Sequence, residues 1–513
     1  MDNLPPFLQA MLAADFYPHP VGEIHLLQTH ASFVVLTGTY AYKFKKPVDF
    51  GFLNYATLER RRHFCTEELR LNRRLAPALY LEVQAVVRDE SFRLAEADAE
   101  GAIEYCVRMR EFGQEQLLSH LFEQGEVTLA LMERLGRRIA EFHREAPTTP
   151  AFGSPELVRA PVDANYDATG VYVGTLQQEH QYTQTREFTD RFFLAHAALF
   201  EKRREQGRIR ECHGDLHLGN IALIDGEVTI FDCIEFNESF RCTDVMAEIA
   251  FLIMDLEARA RPDLANRALN TYLEATGDWE GVTLLPLYLS YRAYVRAKVG
   301  ALTADDPGVT PEARETAMAL ARGYFQQAWH YTQVGQTQLF ILHGVSGSGK
   351  STVAREVSLH TRAIHLRSDA VRKHLAGVAL DSNQSAPPGS GIYSGGMTGQ
   401  TYDRMLELAR LALAAGFSVV LDARYPLRAQ RQAALALAGA LGVPATILEC
   451  ICPREVLEKR LRERSQDISD ADADLLDHQI AETEPLEAEE RERTLSIDSR
   501  TGLETLAQLM NNT

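Results

Sequence analysis

The stretch ECHGDLHLGN, residues 211–220, decides how the N-terminal part of this chain is read. Two histidines, an aspartate and an asparagine fall between positions 213 and 220. One reading is a metal cluster. His213 and His217 stand four apart, which suits two ligands on one face of a helix. Gly214 and Gly219 make a regular helix there costly, and no third ligand follows at a familiar zinc spacing.

The other reading uses more of the residues. Asn220 follows Asp215 by five positions, and twelve positions further Asp232 ends the apolar run VTIFD. A His-x-Asp loop, an asparagine, then a strand bearing an aspartate is the order found in protein-kinase-like enzymes. The chemistry explains the residue types. A hydroxyl is a poor nucleophile at neutral pH, and a carboxylate beside it orients it and accepts its proton. Phosphates exchanging a group carry dense negative charge, so hard oxygen ligands are needed to hold Mg2+. On this reading Asp215 is the catalytic base, Asn220 and Asp232 hold the metal, and His213 and His217 brace the loop.

Upstream, AYKFKKP puts Lys43 on a strand, suited to gripping the α- and β-phosphates of ATP. The helix TEELRLNRRL offers Glu68 as its partner, with Glu67 as the neighbouring alternative. Strand alternation puts Lys45 on the same face as Lys43, and Lys46 adjoins it, so three lysines compete for the role. A basic, solvated strand end is the plain alternative. EYCVRMREF (104–112) falls where an adenine-binding hinge would lie.

HGDLHLGN together with IFDCIEF resembles the aminoglycoside phosphotransferase family, a branch of the protein-kinase-like fold. The resemblance covers roughly residues 20–330 and extends to the helix LGRRIAEFHREA (135–146) ahead of the loop. It implies ATP-dependent phosphorylation of a small-molecule hydroxyl. It does not fix the acceptor, because choline, homoserine, sugar and antibiotic kinases share these residues. A glycine-rich loop of the protein-kinase form is missing near 25–40, a departure from that pattern.

A second phosphate motif lies far downstream. GVSGSGKS (344–351) matches G-x-x-x-x-G-K-[ST] directly after the apolar strand LFILH and before a helix, the context that motif requires. Glycines let backbone N–H groups converge on phosphate oxygens, and the following helix N-terminus adds a favourable dipole. Gly344, Ser346, Gly347, Ser348, Gly349, Lys350, Ser351 and Thr352 form the nucleotide-binding set. Lys350 reaches the β- and γ-phosphates, and Ser351 ligates Mg2+.

Three further segments follow. LRSDAVRKHL (366–375) places Asp369 and Arg372 at the end of the next strand, where Asp369 takes an acceptor proton and Arg372 holds the acceptor; a plain helix cap by Ser368 or Asp369 is the alternative. FSVVLDARY (417–425) carries Asp422 at a Walker-B-like, metal-facing position. REVLEKRLRERS (454–465) puts Arg460 and Arg464 on one helical face, as a lid over phosphates or as part of a salt-bridged solvated surface. Together with YSGGMTGQTYDRM, these segments resemble the zeta-toxin and polynucleotide-kinase-like P-loop kinases over about 337–513. That resemblance implies hydroxyl acceptors on nucleotide-sugars, nucleic-acid ends or small metabolites.

The bulk properties are compatible with both assignments. A chain of 513 residues accommodates two to four domains at ~100–200 residues each. The fold expected is a protein-kinase-like bilobal α+β domain over 1–330, then an α/β P-loop kinase domain with a parallel sheet over 337–513, with a break near WHYTQVGQTQ (329–338). The net charge of −18 disfavours long nucleic acid and anionic membranes as partners. Seven scattered cysteines with no C-x-x-C pair fit a reducing compartment, and Cys450 and Cys452 sit in a strand-like run, ATILECIC. The acidic start lacks a signal-peptide pattern, and no apolar run reaches the ~18 residues of a membrane span; a cytoplasmic location is expected. Residues 381–399, DSNQSAPPGSGIYSGGMTG, read as a loop.

The function expected is an ATP- and Mg2+-dependent kinase with two active sites acting on small-molecule or nucleotide-type hydroxyls. An ATP-sensing protein in which one domain gates the other, and a nucleic-acid 5'-hydroxyl kinase, are the alternatives. The acceptors and the oligomeric state are open on sequence alone.

Overall fold

The computed structural model describes residues 4–333, 335–382, 391–462, 476–498 and 500. Compactness divides the chain into two units. One comprises Met1–Val127, Glu141–Asp163 and Phe193–Leu252; the other comprises Thr128–Ala140, Ala164–Phe192 and Ile253–Thr513.

The first unit is built on an antiparallel sheet of six strands: β1 (His25–Gln28), β2 (Ser32–Leu36), β3 (Tyr40–Lys45), β4 (Tyr80–Arg88), β5 (Phe92–Glu96) and β6 (Ala102–Arg110). Their order is β1-β2-β3-β6-β4-β5. The run HASFVVLTGTYAYKFK forms the hairpin β2-β3, with Gly38 at φ +81° in its turn, a conformation that suits glycine. Period-two alternation sorts the side chains of β3. Tyr42 and Phe44 join a core with Leu8, Met11 and Val35 on one face. Lys43 and Lys45 take the other face, whose core of Cys65, Leu79, Tyr80 and Val107 packs beneath the helix Leu58–Asn72. Thr57 caps that helix by accepting from the Arg60 N–H. Its inner stripe is Arg61, Cys65, Glu68 and Asn72, spaced three or four apart. Charged groups buried on such a stripe must be paired, and this sets up the first site.

The segment around ECHGDLHLGN is broken into short pieces. β7 (Ile209–Glu211) pairs with β10 (Cys242–Asp244), and between them β8 (Ile221–Ile224) and β9 (Glu227–Ile230) form a hairpin. Its turn is Asp225-Gly226, both at positive φ, as a tight two-residue hairpin requires. Asp232 does not close the strand as expected. It lies two residues beyond β9 with φ +66°, a strained conformation for a non-glycine residue and one typical of functional sites.

The second unit contains a five-stranded parallel sheet of β11 (Leu339–His343), β12 (Ile364–Arg367), β13 (Val419–Asp422), β14 (Ala445–Ile451) and β15 (Thr494–Asp498), in the order β12-β13-β11-β14-β15. The intervening helices cover it, as parallel strands demand, around a core of Phe340, Leu342, Val353, Val357, Val420 and Leu448. The fold is thus a kinase-like region with an antiparallel sheet followed by a P-loop α/β region. The loop expected over 381–399 ends early. Ser394 caps the helix Gly395–Ala414 through the Met397 N–H, so the GGMTG segment is helical despite its glycines. Among the described residues, no helix is long and apolar enough to cross a membrane.

Candidate active sites

In the first unit β3 aims two lysines at one carboxylate. Lys43 Nζ lies 2.7 Å from Glu68 Oε1, and Lys45 Nζ lies 2.8 Å from Glu68 Oε2. Lys43 also pairs with Asp232, and Lys45 with Glu235. The Tyr55 hydroxyl donates to Glu235 at 2.5 Å. Exposure separates the two lysines: the Lys43 side chain is 16% exposed and that of Lys45 only 1%, so Lys43 is the one placed to meet a ligand. Lys46 points elsewhere, donating to the Thr29 carbonyl. Glu67 pairs with Arg70 rather than with a strand lysine.

Burial alone would raise the Glu68 carboxyl, but Lys43 and Lys45 hold it down at about 2. Burial also opposes charge on the lysines, yet Asp232 and Glu68 around Lys43, and Glu235 and Glu68 around Lys45, raise both well above the ordinary lysine range. An ordinary glutamate titrates near 4.5. The depressed value therefore stabilises the folded chain above pH 4.5, and that stability is lost as pH falls from 4.5 toward 2. Glu68→Gln is expected to flatten the stability–pH profile over this interval, measured by denaturant unfolding at each pH. At neutral pH it should cost about 3–5 kcal/mol, because two buried lysines lose their shared partner.

The loop after β7 is fixed from several sides. The His213 and Gly214 N–H groups donate to the Glu248 carboxylate at 2.7 and 3.0 Å. The His213 ring bonds the Phe231 carbonyl through Nε2 at 2.8 Å and takes the Asp215 N–H on Nδ1 at 3.2 Å. His217 Nδ1 accepts from the Gly219 N–H, and its Nε2 sits 3.3 Å from Asp215 Oδ2. Asn220 Nδ2 donates to that same oxygen at 3.0 Å and to the Asp215 carbonyl at 2.9 Å. Both histidines are thereby tied within the loop. The Asp232 N–H is held by the Tyr80 hydroxyl at 3.1 Å, and its side chain remains 44% exposed. With Nδ2 engaged, Asn220 has its amide oxygen to offer, and Asp232 offers a carboxylate. Two hard oxygen donors of this kind suit a divalent cation such as Mg2+.

Sequence reasoning missed Lys45 as a second clamp on Glu68, and it missed Glu235, Tyr55 and Glu248. A hint was present for the acids: Glu235 and Glu248 are charges inside otherwise apolar runs, CIEF and VMAEIAFLIM.

In the second unit the glycine motif leaves β11 and enters the helix Lys350–Thr361. Gly347 and Gly349 take φ +81° and +93°. Lys350 folds back so that Nζ donates to the Val345 carbonyl at 2.9 Å, and burial lowers its ammonium below the ordinary range. Ser348 is buried, Ser351 half-buried and Thr352 exposed. Asp422 ends β13 beside the loop. Burial would raise its carboxyl, but His365, Arg367 and Lys350 together hold it far below the usual range. Arg460 reaches in from the helix Arg454–Arg462 and donates to the Gly347 carbonyl at 3.2 Å. Arg464 lies outside the described residues.

Asp369 and Arg372 occupy the helix Ser368–Leu375, just past β12, and Asp369 is among the charges that act on Lys350. The cap position of that helix is Arg367, which makes no side-chain cap hydrogen bond. Arg372 Nη1 donates to the Ile392 carbonyl at 3.0 Å and to Thr398 Oγ1 at 3.1 Å. Two neighbours were not foreseen. The Ser346 N–H donates to Gln479 Oε1 at 2.9 Å, and His365 Nε2 lies 3.0 Å from Asp422 Oδ2.

Gly344 is the glycine whose replacement has the clearest consequence. It has φ +141°, and a Cβ there would stand 2.7 Å from the Cys450 carbonyl oxygen and 2.9 Å from Ser348 Oγ. Gly344→Ala is expected to cost about 1–3 kcal/mol of stability through backbone strain, read by denaturant unfolding, and to weaken nucleotide binding by displacing the loop.

Two family models match this chain, over separate stretches of the sequence. The model of the phosphotransferase enzyme family matches residues 54–285, and that of the AAA domain matches residues 339–486. The uncharacterized protein Rv2004c of Mycobacterium tuberculosis is 30% identical over 468 residues, covering 89% of this chain and 90% of its own. The uncharacterized protein Mb2027c of Mycobacterium bovis matches to the same extent. Among solved structures, a choline/ethanolamine kinase family protein from Mesorhizobium loti is 12% identical and covers 64% of this chain and 99% of its own, with a TM-score of 0.38. The Mycobacterium tuberculosis APS kinase is 20% identical over 34% of this chain and 96% of its own, with a TM-score of 0.24.

Proposed function

The chain belongs to one family with these mycobacterial proteins, a phosphotransferase-family region followed by a P-loop kinase-like region, and on that premise we propose that it is an ATP-dependent kinase with two active sites. Each site transfers the γ-phosphate to a hydroxyl of a small-molecule or nucleotide-type acceptor. The observation that supports this reading best is that each phosphate motif retains a full set of groups around it. Asp215, Asn220, Asp232, Lys43 and Glu68 lie in one unit; Lys350, Asp369, Asp422 and Arg460 lie in the other.

At the first site Lys43 holds the α- and β-phosphates, with Glu68 fixing its position. The Asp215 carboxylate, oriented by Asn220 and His217, aligns the acceptor hydroxyl and takes its proton. At the second site the loop N–H groups and Lys350 hold the β- and γ-phosphates, Asp369 takes the acceptor proton, and Arg460 steadies the transferring group. Asn220 and Asp232 at the first site, and Ser351 and Asp422 at the second, would hold Mg2+, which would neutralise phosphate charge there. The acidic net charge favours small acceptors over long nucleic acid.

The test is transfer of label from γ-phosphate-labelled ATP across a panel of hydroxyl compounds: sugars, amino alcohols, hydroxy-amino acids and nucleosides. The reading requires labelled acceptor; label released only as inorganic phosphate, with every acceptor, would refute it.

A further inference from the structure

β12 is an edge strand of the parallel sheet, and an edge strand leaves backbone N–H and C=O groups without a neighbouring strand. Here the helix Pro262–Thr276 takes the neighbour's place. Asn266 and Asn270 both donate through Nδ2 to the Ala363 carbonyl at 3.0 Å. The His365 N–H donates to Asn270 Oδ1 at 2.8 Å. This helix belongs to the residues matched by the phosphotransferase family model, whereas β12 belongs to those matched by the AAA domain model. All of them lie in the second compact unit.

The contacts run on to the acid of the P-loop site. His365, fixed through its backbone by Asn270, sets Nε2 3.0 Å from Asp422 Oδ2. Arg367, two residues along the strand, stands between two carboxylates. Its Nη1 is 3.6 Å from Glu274 Oε2, and its Nε is 3.8 Å from Asp422 Oδ2. One turn further along the helix, the Glu274 carbonyl bonds His374 Nε2 at 2.8 Å. The side chains of His365, Asp422 and Arg367 are 7%, 4% and 11% exposed, so these pairings are little screened by water.

We infer that Glu274, anchored with Asn270 on this helix, is a positioning residue for Asp422, so that the phosphotransferase-family part of the chain sets the metal-facing geometry of the P-loop site. The inference rests on the proposed role of Asp422 toward Mg2+. The physical reason is competition for one guanidinium. Arg367 is shared between Glu274 at 3.6 Å and Asp422 at 3.8 Å, so its charge is divided and the Asp422 carboxylate stays available to a cation. Without the Glu274 charge, Arg367 closes onto Asp422 as a full ion pair and opposes the cation.

The test uses the full chain and ADP binding by calorimetry over a range of Mg2+ concentrations. The Lys350-dependent component is obtained by subtracting the Lys350→Ala titration. Glu274→Gln is expected to raise the Mg2+ concentration needed for tight binding about 10–100-fold, as loss of an outer partner does at metal sites, while metal-free ADP binding stays unchanged. In an Arg367→Gln background the same Glu274→Gln change should have no effect, which a merely structural role would not produce. An unchanged Mg2+ requirement in Glu274→Gln, or a shift that persists without Arg367, overturns the inference and leaves the P-loop reading standing. A wild-type chain with no Lys350-dependent ADP binding overturns both.

Discussion

Asp215→Ala is expected to lower acceptor-dependent phosphoryl transfer at the first site by about 10²–10⁴-fold, the usual effect of removing a catalytic base. The geometry makes this substitution informative. Asp215 is partly exposed and its carboxylate is held by Asn220 and His217, while the backbone of the loop is clasped independently by Glu248. Removing the side chain therefore leaves the loop anchored, and stability should change little. ATP binding should persist, because Lys43, Glu68 and Asp232 are untouched. A fall in kcat with KM for ATP nearly constant is the pattern expected when a group acts mainly in the transition state.

Lys350→Ala is expected to abolish the second activity, with a loss of about 10²–10³-fold or more, as for removal of a charge stabiliser aimed at the transferring group. In the structure Lys350 caps the loop from within, on the Val345 carbonyl. It is held there with a lowered ammonium pKa by burial, beside Asp422 and Asp369. A phosphate arriving at the loop gives it a stronger partner than a carbonyl. Unlike Asp215→Ala, this change should weaken nucleotide binding as well as turnover, because the proposed role of Lys350 is to hold the phosphates before transfer as well as during it. The two substitutions thus differ in kind as well as in site.

Much of this was legible in the chain. GVSGSGKS between an apolar strand and a helix is a local motif, and local motifs survive reading because the groups they bring together are adjacent in sequence. The Asp215–Asn220 spacing is legible for the same reason. What escaped was long-range. Lys45 meets Glu235 across 190 positions, and strand alternation alone could not rank Lys43 against Lys45; only the burial of Lys45 beneath the helix Leu58–Asn72 does so. The left-handed turn at Asp232 was hidden because β9 ends at Ile230 while the apolar pattern runs on to Phe231. His365 in AIHLR reads as an ordinary strand residue, and its link to Asp422 exists only because β12 and β13 pair in parallel, placing Arg367 opposite Asp422 in register. Nothing in the periodicity of the helix Pro262–Thr276 announces that Asn266 and Asn270 finish a sheet 93 to 97 residues away.

The measurement that bears most directly on two working phosphotransfer sites is labelled γ-phosphate transfer by the wild type, Asp215→Ala and Lys350→Ala, each run against the same acceptor panel. The account predicts that the two variants lose different acceptors: those phosphorylated at the first site vanish with Asp215, those at the second with Lys350, and each variant keeps the other set. If Asp215→Ala leaves every transfer intact while Lys350→Ala removes them all, the first site does no chemistry and the two-site account is wrong.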